Sequence, residues 1–212
     1  MLIASAQLII YANGMIMERL FLSGDPRDSE RYRLAFATSF GHLFAPQRVG
    51  PGIPDAGSAS EYIDALRRLG VIDAASIVVV LVSRMAHASR RVDWEIAAGL
   101  EPEPPDAAGL LGIMLPEVPR RIAHEGTGLA VPFFDYGDMP PRLADNVKSG
   151  YARIYDWNWL CADEARVAEA ARVAAAWRRE RAHLIDNSRV CLTADLPLTP
   201  EFSGNRERRR RV

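Results

Sequence analysis

The stretch SIVVVLVSRMAHASRRVDWEI, residues 76–96, decides the fold class. Its first part, SIVVVLVS (76–83), is a continuous run of aliphatic and β-branched residues. Such a run is typical of a strand buried on both faces, as in a parallel sheet. A basic connector, RMAHASRR (84–91), leads into a predicted helix that begins with Ser89 as its N-cap and ends at Leu100. The stretch therefore predicts one strand–connector–helix unit of an α/β protein.

The rest of the chain repeats this alternation of strands and helices. Residues 120–147 are weakly patterned apart from one short strand around Ala130–Phe134. The pattern favours a parallel, doubly wound α/β sheet with a C-terminal helical extension. The other predicted strands are 18–25, 47–49, 110–115 and an outer strand 151–157, and the other predicted helices are 26–44, 60–71 and 163–184.

Composition indicates one ordinary globular domain. The chain has 212 residues, of which 49% are hydrophobic, and a net charge of −1, which argues against an electrostatic nucleic-acid binder.

We expect an N-terminal extension or extra strand (1–17), a main domain (18–160), a packed helix (161–190) and a tail (191–212) with a disordered, arginine-rich end. Two cysteines far apart favour a reducing compartment, and we expect a cytoplasmic protein without a membrane span.

Several common catalytic and cofactor-binding motifs are absent from the sequence. The sequence contains no glycine-rich dinucleotide or phosphate loop, no zinc-ligand cluster and no serine-hydrolase elbow. In an open parallel sheet the ligand site lies beyond the carboxyl ends of the strands. The segments to consider are therefore 23–27, 50–57, 83–91 and 116–120.

Glu95 is the carboxylate best placed near that edge. On a helical wheel Val92, Ile96 and Leu100 face the sheet, and Glu95 lies on the flank of this stripe. Taken alone, this position also suits an ordinary solvated glutamate. Trp94 falls on the far side, which predicts that another segment or another subunit covers its indole.

The run ASIVVVLVSRMAHASRRVDWEIAAGL (75–100), followed by AGLLGIML (108–115), resembles the TIR-like domains of bacterial Thoeris antiphage systems. LFLSGDPRD (20–28) and DNVKSGYARIYDW (145–157) are also similar to this family. The resemblance implies a flavodoxin-like fold and cleavage of NAD between nicotinamide and ribose. It also implies release of ADP-ribose, or of a cyclic or conjugated derivative that signals to an effector protein.

The resemblance also implies roles for individual residues. It places the catalytic glutamate at Glu95 and the nucleotide-contacting turn of the first strand at Phe21, Ser23 and Asp25. The gating loop falls on residues 50–57. Many relatives carry a tryptophan four residues before the glutamate, where this chain has Arg91. This chain instead has Trp94 beside the glutamate, and Trp94 is counted among the substrate-binding candidates.

Chemistry adds further substrate-binding candidates. The diphosphate of NAD needs donors, for which Arg27 and Arg84 are candidates, and Ser83 could bond ribose or phosphate. NAD would be the substrate rather than a bound cofactor, and no metal is expected. The expected partners are NAD, the effector, a phage-derived trigger and further copies of the chain.

Two other functions compete with this hypothesis. One is a non-catalytic TIR-like interaction module that assembles through Trp94 and the 50–57 loop. The other is a receiver-like protein, which would need an aspartate at the end of a middle strand, whereas SIVVVLVS ends in serine.

Overall fold

The computed structural model describes residues 17–45, 57–73, 75–101, 107–119, 121–124 and 130–198, with only the backbone of 121–124 and 130–133. The predictions for residues 1–16, the 47–49 strand, most of the 50–57 loop and the tail beyond residue 198 lie outside them. The strands are β1 Leu20–Gly24, β2 Ile77–Val82, β3 Gly109–Met114, β4 Arg121–His124, β5 Ala130–Phe133 and β6 Arg153–Asp156. The helices are α1 Glu30–Phe40, α2 Ala59–Arg68, α3 Arg90–Leu100, α4 Pro141–Ser149, α5 Trp157–Leu160 and α6 Glu164–Glu180.

The main sheet has four parallel strands in the order β1–β2–β3–β6. Every residue of β2 and of β3 is buried, as the continuous apolar runs predict for central strands covered on both faces. The predicted outer strand is β6, which pairs only with β3 among the described strands. The α/β fold of the flavodoxin-like type is thus confirmed.

Helices cover both faces of this sheet. On one face, side chains of α2, α3 and α4 pack with alternate residues of β2 and β3. On the other face, α1, α5 and α6 pack against the remaining alternate residues of the same strands. Because successive side chains of a strand point to opposite faces, each central strand supplies both halves of the core.

Two elements were not foreseen in the weakly patterned region. Helix α4 begins with Pro141 and is capped at its C-terminal end by Gly150, whose φ of 85° lies in the left-handed region that glycine tolerates. Strand β5 was predicted, but it pairs with the unpredicted β4 in a separate antiparallel sheet of two strands.

The chain then returns to α3. After α6 and a 3-10 turn at Ala182–Leu184, residues 186–198, which we name the strap, run across α3. Within the tail predicted from residue 191 onward, residues 192 and 196 hydrogen-bond α3 and the turn before it. No helix in the described ranges is both long and apolar enough to cross a bilayer.

Candidate functional site

Glu95 lies buried at the carboxyl end of β1. Ser89 caps α3 by accepting a hydrogen bond from Val92 N, and the helix begins at Arg90. Its second turn carries Glu95, whose side chain is only 2% exposed. The alternative of a solvated flank glutamate is therefore wrong for this residue.

Three side chains hold the Glu95 carboxylate. Ser23 Oγ donates to Oε2 at 2.7 Å, Tyr62 OH donates to Oε1 at 2.8 Å, and Arg91 Nε donates to Oε1 at 3.1 Å. A buried carboxylate is tolerated only when it is paired and hydrogen-bonded, and this one has both kinds of partner. Its position and orientation are thereby fixed by three different elements.

Tyr62 is a site residue that sequence reasoning missed. It lies on the buried face of α2. Burial, together with the charge of Glu95, raises the pKa of the Tyr62 phenol well above its usual value. The phenol therefore stays protonated and donates to Glu95. No local signal marks this role, because the bond joins residues 33 positions apart.

The end of β1 contributes two of the residues named from the sequence. Ser23 faces Glu95, whereas Phe21, 8% exposed, packs in the core beside α2 and α3. Phe21 is therefore placed as a core residue near the site, and contact of its ring with the nucleotide stays a prediction.

Asp25 and Arg27 form a rigid turn after β1. Arg27 donates to Asp25 through its backbone N at 2.9 Å and through Nε and Nη2 at 2.8 and 2.7 Å. Burial alone would raise the pKa of Asp25, but hydrogen bonds from the Arg27 and Ser89 side chains outweigh it and hold that pKa below its usual value. Asp25 is consequently an ionised anchor for Arg27.

A cavity of about 270 Å³ opens beside this turn and is called here the α3 cavity. Two of its lining side chains, Tyr62 and Arg91, are those that hydrogen-bond Glu95, so the carboxylate lies directly behind the cavity wall. Its remaining lining residues are Asp25, Pro26, Arg27, Ser89, Arg90, Trp94 and, from the strap, Asp195.

A second, larger cavity of about 480 Å³ shares Pro26 and Arg27 with the α3 cavity. Arg84 lines this cavity and donates through Nε to the backbone oxygen of Glu117. Ser83 is 2% exposed and accepts a hydrogen bond from Ala86 N, so it shapes the connector. The structure therefore places Arg27 between two cavities, with Arg84 in the second one.

Trp94 is covered by the chain's own strap. Its indole is 1% exposed, and Nε1 donates to Leu192 O at 2.7 Å. Of the two covers left open by the sequence, the structure shows the first, another segment. An interaction module that uses Trp94 as an exposed contact is incompatible with this burial. Trp94 still lines the α3 cavity, so contact with a ligand there stays a prediction.

Among the described residues, no group of three or more histidine, cysteine or acidic side chains could hold a metal ion.

Comparison with known families gives a match in the central part of the chain. Residues 52–120 match the family model described as Thoeris protein ThsB, TIR-like domain, which is about a third of the chain. No match was found among curated proteins or among solved structures. The matched segment contains α2, β2, α3 and β3, and with them Tyr62, Arg91 and Glu95. Residues 52–120 are thus similar to the TIR-like domain of the Thoeris protein ThsB, and the parallel α/β sheet is consistent with that similarity.

Proposed function

We propose that this TIR-like domain cleaves NAD at the bond between nicotinamide and ribose, with Glu95 as the catalytic carboxylate. The observation that carries the proposal is a buried carboxylate held by Ser23, Tyr62 and Arg91 beside a cavity at the carboxyl end of β1. Ligand sites of open parallel sheets lie at this edge. The resemblance of the surrounding sequence to NAD-cleaving relatives supports the same assignment.

The reaction suits a single carboxylate. When the bond between ribose C1′ and the ring nitrogen breaks, its electron pair goes to the pyridinium nitrogen, and nicotinamide leaves as a neutral molecule. The leaving group needs no proton, and positive charge develops on the ribose as an oxocarbenium-like cation. A fixed negative charge beside that ribose stabilises the transition state. Water, or a hydroxyl of the same or another molecule, then adds to C1′ and loses a proton.

Access to Glu95 requires movement of a side chain that covers it, because the residue is only 2% exposed. Oε2 accepts from Ser23, and Oε1 accepts from both Tyr62 and Arg91. The Arg91 bond is the longest of the three at 3.1 Å, and the Arg91 side chain is 35% exposed. Ribose hydroxyls would replace this bond, while Ser23 and Tyr62 keep the carboxylate in place.

The proposal extends to the signal and its partners. The products would be nicotinamide and ADP-ribose or a cyclic or conjugated derivative, which would act on an effector protein in antiphage defence. A phage-derived trigger and assembly of several chains belong to the same proposal. We propose a cytoplasmic location for the reaction, where NAD and the effector would both be available.

The direct test is Glu95→Gln in the full chain. Nicotinamide release from NAD should fall by at least about a hundredfold, since removal of one preorganised electrostatic contact costs about that much. Mass spectrometry of the remaining small molecules identifies the second product. The matched control is Glu101→Gln, which removes the same charge from the exposed C-terminal end of α3. Equal activity of Glu95→Gln and the wild type would overturn the mechanism.

A further inference from the structure

We propose that the strap closes the α3 cavity, and that its Asp195 carboxylate occupies the position of an anionic phosphoryl group of the ligand. A ligand carrying a diphosphate would displace the distal part of the strap, residues 193–198, and take over the contacts of Asp195. The geometry of the strap is independent of NAD chemistry. Only the identity of the natural ligand rests on the proposed function.

The proximal part of the strap is firmly anchored. Leu192 is held on both sides, because its N donates to Asp93 Oδ2 at 2.9 Å and its O accepts from Trp94 Nε1 at 2.7 Å. Asn187 Oδ1 accepts a hydrogen bond from Nη1 of the buried Arg142 at 2.7 Å. These bonds involve buried side chains, so the strap stays attached to α3 up to residue 192.

The distal part is held differently. Residues 193–197 are all exposed, so little apolar surface holds them in place. Leu196 N donates to Ala88 O at 2.8 Å, and Asp195 makes the contacts with the cavity. A segment with few buried contacts opens at low free energy. Residue 192 thus divides an anchored part of the strap from a part that can be displaced.

Asp195 makes the contacts that an anionic ligand would make. Its Oδ1 accepts from Arg90 N at 2.9 Å, in the first turn of α3, and its Oδ2 lies 3.2 Å from Arg27 Nη1. Arg27 is already oriented by Asp25 through Nε and Nη2, which leaves Nη1 to face the strap. A guanidinium and a helix-start amide that converge on one carboxylate form a preorganised anion position inside the cavity.

Competition at this position favours a diphosphate. The Arg27 and Asp195 side chains are 47% and 43% exposed, and an ion pair this exposed contributes little to stability. A diphosphate carries more charge and more acceptor oxygens than one carboxylate and interacts more strongly with the same donors. Because ligand and strap cannot occupy the position together, the closed strap lowers the apparent affinity of the ligand.

Amide hydrogen exchange tests the displacement with two reporters. We would titrate the full chain with inorganic diphosphate and follow the Leu196 and Arg90 amides by NMR. Exchange should become faster at Leu196, which loses Ala88 O, while the Arg90 amide stays protected or becomes more protected by the anion. No change at either amide, or slower exchange at Leu196, would overturn the proposal.

Variants of the strap test the role of the carboxylate. Without any ligand, Asp195→Ala should increase the exchange rate of the Leu196 amide. It should also lower the diphosphate concentration that half-saturates the anion position by roughly threefold to tenfold. Thr193→Ala in the same exposed part, and Glu169→Gln on the exposed face of α6, should leave both quantities at their wild-type values. An unchanged half-saturation for Asp195→Ala would contradict the proposal.

The NAD reaction separates this inference from the proposed function. If both hold, Asp195→Ala lowers the KM for NAD by the same factor and leaves kcat within about twofold. If the amide reporters respond to diphosphate but no nicotinamide is ever released, the strap closes an anion site and the proposed function fails. If nicotinamide is released and the reporters do not respond, the strap proposal fails alone.

Discussion

Three consecutive residues of the VDWEI segment hydrogen-bond four other parts of the molecule. Asp93 accepts from Arg142 Nε of α4 at 2.9 Å and from the strap, Trp94 donates to the strap, and Glu95 accepts from β1, α2 and its own helix. Because successive residues of a helix point about 100° apart, neighbouring side chains can reach different partners. One helix turn thus links the strap to the candidate catalytic carboxylate.

The hydroxyl of Tyr62 should matter more for activity than for stability. Tyr62→Phe keeps the ring, which lies 5.6 Å from the Trp94 ring, and removes one donor to Glu95. We expect a stability loss of about 1 kcal/mol, typical of a lost hydrogen bond, and a fall in kcat for nicotinamide release of roughly tenfold or more. Urea unfolding and initial rates measure the two effects.

Tyr151→Phe is the matched control for this change. Tyr151 is 1% exposed, close to the 2% of Tyr62, and its hydroxyl donates to Ala108 O at 2.8 Å, away from Glu95. It should lose about the same stability, about 1 kcal/mol, and keep wild-type kcat. Equal loss of activity in the two variants would show that Tyr62 acts only through general stability and does not position Glu95.

Asp25 should contribute stability that depends on pH. The pKa of Asp25 in the folded state lies below its usual value. The ionised carboxylate therefore stabilises the fold at any pH above the unfolded-state pKa of about 3.9. This stabilisation is lost as the pH falls through the folded-state pKa. Asp25→Asn should therefore destabilise by about 1–2 kcal/mol near neutral pH. The difference from wild type in urea unfolding should shrink below about pH 4, and a difference that grows there would refute the assignment.

The sequence could locate Glu95 but could not predict its environment. The helix periodicity gives its place on α3, yet its donors Ser23 and Tyr62 lie 72 and 33 positions away. The same limit applies to Trp94, whose cover at Leu192 is 98 positions away. Short-range patterns carry no information on such pairs, so burial of both side chains had to come from the tertiary structure.

At the scale of elements, helix α6 and strand β3 approach closely at Gly109. A Cβ placed on Gly109 would lie 2.1 Å from the backbone oxygen of Ala174 in α6. The backbone of α6 cannot move aside for this Cβ as the end of a flexible side chain could. Ala170, Ala171 and Ala174 of α6 are buried in the same cluster, so small residues on both elements permit the approach.

Gly109→Ala should push α6 away from the sheet. We expect a loss of stability of about 1–3 kcal/mol, the range for overpacking a well-packed core. Gly41→Ala is the control, because nothing lies within 4 Å of the added Cβ and its φ of −57° suits alanine. That control should be neutral or stabilise by about 0.4–1 kcal/mol through the unfolded chain. Equal unfolding midpoints in urea for Gly109→Ala and wild type would contradict the close approach.

Element types were predictable where the apolar pattern is strong. The central strands β2 and β3 and the helices α3 and α6 follow directly from long apolar runs or helical periodicity. Helix α4 was missed because three of its nine residues are charged and a proline stands at its first position. Strand β4 was missed because four residues are too few to show alternation.

At the scale of the whole molecule, a buried ion pair joins α3, α4 and the strap. Arg142 of α4 and Asp93 of α3 are each 1% exposed, and Arg142 also donates to Asn187 of the strap. Two charges buried away from water are tolerated only when they pair with each other, so this ion pair constrains how α3, α4 and the strap pack together. Attachment of the strap is consequently part of the fold, even though its distal end is exposed.

Asp93→Ala should therefore disturb the molecule well beyond its own position. It leaves the Arg142 charge buried without its carboxylate, which costs about 3–5 kcal/mol, and it removes the acceptor for Leu192 N. Urea unfolding followed by circular dichroism measures the loss, and exchange at the Leu192 amide should rise above wild type under native conditions. A rise localised at the Leu192 amide identifies release of the strap, because general destabilisation of α3 alone would not be confined to this amide.

Asp145→Ala provides the comparison, because Asp145 of α4 pairs with an arginine of the strap, Arg189, at 2.7 Å. The Arg189 and Asp145 side chains are 44% and 21% exposed, so loss of this partly solvated pair should cost only about 0–1 kcal/mol. The two variants therefore compare a buried ion pair between α3 and α4 with a partly solvated one between α4 and the strap. Equal effects of the two substitutions would mean that the buried pair does not hold the strap, and that its attachment comes from the Trp94 bond and packing.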